Sequence, residues 1–338
     1  MEKKILQCAT IAVGLITILV CISLYYLPLM EEKWIMANDA NVGQDTIEIE
    51  ESEDEKLYIE IPENVDGKDI VITNDYVTQT IYVRFKNAIE NYAEEYSVYG
   101  SSNHIAGMSY YKEHEAGVLA IHMDRLYEIS YYYDDGNLCV SFINPHDLYD
   151  KIIVVDAGHG GKMTGAVKRG VEEKVLNLEI VKQIKELFDE VDEKKIKVYY
   201  TRLDDTNPSL AERVGMANKV DADLFISIHN NASSTGLFNS ENGTMVLYNP
   251  LDNSDTSSKR FAKLCLENIT TTMESTNLGL VNGENIYIVR YSQVPVALIE
   301  VGYMTNNKEW EDLQTPEYQR KAAEGVYNAV MQAFEEGF

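Results

Sequence analysis

From residue 151 onward, continuous apolar runs alternate with stretches whose apolar residues recur every three or four positions. "IIVVD" (152–156) is apolar at successive positions, as in a strand covered on both faces. "EEKVLNLEIVKQIKELF" places Leu176, Ile180, Ile184 and Leu187 on one helical stripe. "KVYYTR" follows as a strand, then "SLAERVGMANKV" as a helix, with Ser209 as N-cap and Glu212 at the spacing of a capping box. "DLFISIHNNA" and "GTMVLYN" are strands, "SSKRFAKLCLENITTTM" a helix, "ENIYIVR" and "VALIEVGY" strands, and "EYQRKAAEGVYNAVMQAF" a closing helix. This alternation predicts an α/β domain over 151–338: an open twisted sheet, mostly parallel, with helices on both faces.

Residues 57–150 have a different texture. "LYIEI", "DIVIT", "TIYVRF", "GVLAIHM", "YEISYYY" and "LCVSFI" are short runs rich in β-branched and aromatic residues, which predicts a small all-β, sandwich-like domain. Asp134-Asp135-Gly136-Asn137 supplies tight-turn chemistry between two of them. "KNAIENYAEEY" (86–96) fits either a helix or an irregular crossing. Tyrosines 110, 111, 127, 131, 132 and 133 offer a surface on which sugar rings could stack, although strand alternation turns about half of them inward. His104, His114, His122 and His146 show no metal-like grouping and read as surface or core residues.

Ahead of both lies a run without charge, residues 5–30, long enough at about 1.5 Å per residue to cross a bilayer. It predicts an N-terminal transmembrane helix, kept as an anchor rather than cleaved, since the run is long and shows no small-residue cleavage site. Lys3 and Lys4 before it place the rest of the chain outside the cell membrane. Residues 31–56 read as an acidic linker, extended by the self-repulsion of "QDTIEIEESEDEK". A formal net charge of −26 argues against nucleic acid as a partner. Cys8 and Cys21 fall in the anchor, and Cys139 and Cys265 lie far apart, so no disulfide framework is legible and buried thiols are expected.

The informative residues are the polar ones that interrupt the C-terminal pattern. His159 and His229 are the two histidines of this half, and each directly follows a hydrophobic strand, where α/β sheets gather their ligands. Glu300 closes another apolar run, and Glu173 opens the helix after the glycine loop. Two imidazoles and a carboxylate suit Zn²⁺ with a fourth position left for water, and Glu300 could then carry a proton rather than ligate. Either histidine alone fits an ordinary loop residue. "GHGG" alone could cradle a phosphate, but it lacks the Lys-Ser/Thr of a P-loop and the spacing of a dinucleotide loop.

"VVDAGHGG", "GAVKRGVEEK" with "LNL", "YYTRLDDTNPSLAERVGMAN", "DLFISIHNNA" and "PVALIEVGYMTN" together resemble the zinc-dependent N-acetylmuramoyl-L-alanine amidases of the third amidase family. The likeness spans essentially all of 151–338. It implies a cell-wall hydrolase acting on peptidoglycan, at the amide between the lactyl group of N-acetylmuramic acid and L-alanine. It also implies three zinc ligands: His159, Glu173 as the Glu directly before Lys, and His229. Glu172 is the neighbour most easily mistaken for the second ligand, yet successive helical residues point about 100° apart. Glu300 matches the catalytic glutamate, and Asn231 a residue that shapes the substrate site. Met163-Thr164 and Tyr303-Met304 depart from the usual Asp-Pro and Phe-Leu without touching this set. Some members carry an inhibitory helix over the zinc, whereas 233–243 is short here and implies an open groove. The β module resembles the accessory domains that precede such amidases, which implies contact with the cell wall. Two other readings stay open: a zinc peptidase cutting within the stem peptide, and an inactive peptidoglycan-binding protein.

Overall fold

A computed structural model describes residues 45–51, 56–63, 65–101, 103–190, 195–255 and 257–338. The expected transmembrane helix at 5–30 lies outside them. Among the described residues, no helix is long and apolar enough to cross a membrane.

Among the described residues of 45–143, ten strands form two five-stranded sheets. These strands are β1 (Asp45–Thr46), β2 (Glu50–Glu51), β3 (Leu57–Glu60), β4 (Ile70–Asp75), β5 (Thr80–Phe85), β6 (Val98–Gly100), β7 (Ile105–Glu113), β8 (Ala116–Met123), β9 (Glu128–Asp134) and β10 (Asn137–Ile143). One sheet has the order β1-β7-β8-β5-β4 and the other β2-β6-β3-β10-β9. Leu57, Ile59, Leu138 and Val140 of the second share a core with Ile81, Val83, Leu119 and Ile121 of the first, which makes a sandwich. The predicted hairpin joins β9 to β10, with Asp135 and Gly136 both at positive φ (43° and 80°). The ambiguous 86–96 stretch contains a short helix, Tyr92–Glu95. Tyr110 and Tyr127 are buried, whereas Tyr131, Tyr132 and Tyr133 are exposed.

The acidic linker ends earlier than expected. Residues 45–51 belong to the sandwich: β1 pairs with β7 and β2 with β6. Ile47 is buried, and Ile49 packs against the same core. Isoleucine alternating with acid in "TIEIE" is a strand with one wet face, and the alternation outweighs the repulsion between its carboxylates.

The C-terminal sheet has six strands in the order β14-β11-β15-β18-β16-β17: β11 (Lys151–Ala157), β14 (Ile196–Tyr200), β15 (Leu224–Asn231), β16 (Thr244–Tyr248), β17 (Asn277–Asn282) and β18 (Val296–Tyr303). The first four in that order are parallel, and β16 runs against β18 with β17 parallel to it. Two tiny strands, β12 (Val167–Lys168) and β13 (Val171–Glu172), pair apart from this sheet. The sheet is thus mostly parallel, as the sequence pattern implied. One detail differs: "ENIYIVR" holds a short helix, Tyr287–Arg290, and the strand on that side is β17. Its "NLGLVN" is broken by Gly279 at φ 88° and flanked by asparagines, which hides the strand in the sequence.

Helices Glu173–Asp189, Ser258–Met273 and Pro316–Glu335 cover one face of the sheet, with Leu176, Ile180 and Ile184 turned into the shared core. The other face packs helix Leu210–Lys219, the Tyr287–Arg290 turn and part of the sandwich, through Tyr76, Val77 and Leu126. The predicted capping box at Ser209 and Glu212 is present. At the seam, the Glu128 carboxylate accepts the Tyr76 hydroxyl at 2.6 Å and the Tyr199 hydroxyl at 2.7 Å, and Lys197 lies 3.2 Å away. Burial works against ionisation of Glu128, but these three partners hold its carboxyl below the usual range. Cys139 and Cys265 are free and buried.

Candidate metal centre

The site forms at the carboxyl ends of β11, β15 and β18, with His159 just past β11 and with His229 and Glu300 in the C-terminal halves of β15 and β18. As β11 ends, the chain turns sharply through His159, Gly160 and Gly161, all at positive φ (62°, 138° and 50°). For histidine this left-handed conformation is strained, so the loop needs outside support. Two buried arginines provide it. Arg202 donates to the carbonyls of Ala157 and Gly158, both at 2.8 Å, and Arg213 donates to those of Ala157 at 2.8 Å and His159 at 2.7 Å. Arg213 also pairs with the buried Asp156 at 2.6 Å. Thr201 and Ser227 hydroxyls, each at 2.6 Å, complete that carboxylate's shell. Burial alone would raise the Asp156 pKa, but Arg213 and the two hydroxyls keep it lowered.

The glycines permit close approach. A Cβ on Gly158 would overlap the His229 ring, and one on Gly165 would overlap both His159 and the Glu173 carboxylate. The pocket is therefore carved to the shape of these three side chains.

His159 Nε2 lies 3.2 Å from Glu173 Oε1, and His229 Nδ1 lies 3.0 Å from the same oxygen. The three residues offer ligand atoms within 4.8 Å of one another, and no other such cluster occurs among the described residues. Donors about 2.0–2.2 Å from one tetrahedral ion stand about 3.3–3.5 Å apart, close to the two separations through Glu173. The imidazole rings meet edge to face at 4.9 Å between centroids.

Glu173 is the first residue of its helix and is held at both oxygens. Oε2 accepts the Ala166 amide at 2.9 Å, while Oε1 accepts the Asn230 amide at 3.2 Å and Asn177 Nδ2 at 3.4 Å. Burial opposes its ionisation, but the two histidines prevail and hold its pKa well below the carboxylate range. The same contact raises His229 against its own burial. Two imidazoles converging on one ionised carboxylate make a site suited to a divalent cation. Glu172 turns away to Lys174 at 3.3 Å, so the neighbouring glutamate is not part of the cluster.

Glu300 is the direct partner of His229 across the parallel β15–β18 pairing, so both side chains emerge on one face of the sheet. Its Oε2 is buried with no hydrogen-bond partner among the described residues. Burial pushes its carboxyl up to about 7, with His229 pulling down and Glu173 pushing up. Asn231 lies two residues beyond His229. Its Oδ1 accepts the Ala232 amide at 2.8 Å and its Nδ2 faces Met245 Sδ at 3.6 Å. The segment 233–243 carries no helix.

A sequence-family profile described as N-acetylmuramoyl-L-alanine amidase matches residues 153–332, more than half of the chain. The chain belongs to that family. The uncharacterized protein YqiI of Bacillus subtilis (strain 168) is 33% identical over 180 residues, covering 53% of this chain and 83% of that one. The catalytic domain of the N-acetylmuramoyl-L-alanine amidase CwlV from Bacillus (Paenibacillus) polymyxa var. colistinus superposes with a TM-score of 0.50 at 32% identity, over 55% of this chain and 98% of that one. An N-acetylmuramoyl-L-alanine amidase of Clostridium difficile 630 gives a TM-score of 0.52 at 30% identity, over 56% and 98%. The family match begins inside β11, so the sandwich lies wholly before the matched amidase segment.

The sequence reading named the three residues that the structure brings together but missed their supports. Asn177, Arg202 and Arg213 hold the ligand loop and Glu173 from behind, with Asp156 orienting Arg213. Each stands within or beside a motif that carried the resemblance, and a charged or amide residue on an otherwise buried element was the available signal.

Proposed function

We propose that this chain hydrolyses the amide between the lactyl group of N-acetylmuramic acid and L-alanine in peptidoglycan, with a zinc ion held by His159, Glu173 and His229. The observation that carries the proposal is the convergence of those three residues beside Glu300, whose buried oxygen lacks a partner. The donor set of two nitrogens and one oxygen suits zinc and leaves one position of a tetrahedron open. When bound there, zinc supplies Lewis acidity, which makes water a nucleophile near neutral pH and polarises the amide carbonyl.

The protein's own groups perform the proton work. Glu300, ionised, takes a proton from the attacking water and returns it to the departing L-alanine nitrogen as the C–N bond breaks. A carboxyl raised to about 7 suits both transfers, because it can gain and lose a proton near neutrality. The products are a free lactyl carboxylate and a stem peptide with a new amino end. Asn231, at the end of the strand that bears His229, is assigned to shaping the substrate site.

Location and the sandwich's role belong to the same proposal. The uncharged run at 5–30 supports a membrane anchor with the hydrolase outside the cytoplasm, and the exposed Tyr131, Tyr132 and Tyr133 support cell-wall contact by the sandwich. Protease treatment of intact cells should remove the folded part; protection of residues 45–338 would reverse the orientation.

The test of activity is mass spectrometry of purified peptidoglycan after digestion by the full chain, with and without a zinc chelator. Stem peptides with free L-alanine amino ends, lost on chelation, are expected. Fragments cut within the stem would make the chain a peptidase, and intact wall would make it a binding protein.

A further inference from the structure

We infer that Arg169 is a positioning residue that clasps the strap carrying Glu173 and thereby sets the site's affinity for its ion; the inference rests on the metal-site reading above. Residues 160–172 link His159 to Glu173, and the last six of them, 167–172, form the β12–β13 hairpin. Its two-residue turn is Arg169-Gly170, both left-handed at φ 48° and 84°. Glycine accepts that geometry freely and arginine does not, so contacts beyond the turn must hold it. A hairpin of two-residue strands also has too few ladder bonds to persist unaided.

The contacts are specific. The Arg169 guanidinium lies 4.2 Å from the Phe238 ring centroid and 4.8 Å from that of Trp310, and its Nη2 donates to Asn307 Oδ1 at 2.7 Å. Next to it, Lys168 Nζ donates to the Gly236 carbonyl at 2.7 Å, and the Trp310 indole N–H donates to the Lys168 carbonyl at 3.3 Å. Phe238 and Gly236 belong to the loop that follows β15, the strand of His229. Asn307 and Trp310 belong to the helix Asn307–Asp312 that follows β18, the strand of Glu300. The clasp therefore ties the tip of the strap to the exits of both strands.

The strap's other end is Glu173. Ala166 and Glu173 exchange two hydrogen bonds, the Ala166 amide to Oε2 at 2.9 Å and the Glu173 amide to the Ala166 carbonyl at 2.8 Å. Freedom at the hairpin tip thus passes directly to the ligand oxygens. Two aromatic contacts and an amide acceptor already engage the guanidinium, which assigns Arg169 to holding the protein rather than the substrate.

The experiment uses the full chain as wild type, R169A and R169K. Zinc affinity is read by competition with a chromogenic chelator, strap mobility by hydrogen exchange of residues 165–173, and global integrity by thermal melting without zinc. R169A should bind zinc about 10-fold or more weakly, the loss typical of removing a group that orients a ligand. Its strap amides should exchange faster while the zinc-free melt stays close to wild type, and saturating zinc should restore activity. R169K should fall between, because an ammonium keeps the charge but not the planar stacking. Unchanged zinc affinity and strap exchange in R169A would overturn the inference. So would a rise in KM alone, which would make Arg169 a substrate contact, or a global loss of stability, which would make it merely structural. A wild-type chain that takes up no zinc would instead overturn the metal reading itself, and the clasp with it.

Discussion

Glu300 and His229 face each other directly across two parallel strands, and the glutamate's buried Oε2 lacks a partner among the described residues. A carboxylate so placed is costly to the fold, and the proposed function gives it a use, proton transfer beside an imidazole assigned to the ion. Glu300→Gln keeps the shape and removes the proton carrier. The variant should retain zinc and lose about 10²–10⁴-fold in kcat, measured on purified peptidoglycan with zinc content determined in parallel. Full activity in a zinc-loaded Gln variant would remove Glu300 from the mechanism.

The same residue predicts a stability cost. Burial raises the Glu300 carboxyl from 4.5 to about 7, so the folded state holds this proton more tightly than the unfolded chain does. Its contribution is most favourable below 4.5 and is lost as pH rises to about 7. Metal-free Glu300→Gln should therefore be more stable than metal-free wild type at pH 8, by about 1–3 kcal/mol, with the gap closing near pH 4. Urea unfolding at both pH values checks this; an equal gap at both would contradict it.

Glu172 and Glu173 are adjacent in sequence but differently placed, Glu173 between His159 and His229 and Glu172 against Lys174. Glu173→Gln should lose zinc because its charge lies between two imidazoles, whereas Glu172→Gln, which gives up a half-exposed contact with Lys174, should keep it. Zinc content by atomic emission distinguishes them, and equal retention in both variants would contradict the assignment.

Asp156 and Arg213 test the support beneath His159. Breaking a buried ion pair from one side costs about 3–5 kcal/mol, and Asp156→Asn should do so while loosening the His159 loop. The folded Asp156 pKa is lowered, so its stabilisation is present above the unfolded value of 3.8 and fades as pH falls through the lower folded one. Denaturant midpoints of wild type and variant should converge in acid. A constant offset down to the lowest accessible pH would contradict this.

The legible part of the molecule was what periodicity and strand ends report. The stripe of Leu176, Ile180 and Ile184, the capping box at Ser209 and His159 just after β11 each follow from local pattern, whereas His229, expected after its strand, lies within β15 shortly before its end at Asn231. The misreadings share a cause: local pattern is silent where tertiary partners decide. "IYIVR" has a strand's composition but packs as a helical turn with Ile288 and Val289 buried, and "TIEIE" has a linker's charge but finds β7 and β6 as neighbours. Arg202 and Arg213 stayed unread because the Ala157, Gly158 and His159 carbonyls they hold lie 44 to 56 residues earlier in the chain, and the Asp156 carboxylate lies 57 residues before Arg213.

On the proposed function, His159, Glu173 and His229 grip one ion. Anomalous diffraction at the zinc edge, from crystals of the chain purified without chelator, tests it most directly. A single strong peak is expected about 2.0–2.2 Å from His159 Nε2, Glu173 Oε1 and His229 Nδ1. A fully refined structure with no peak there, or with zinc bound at other residues, would contradict it.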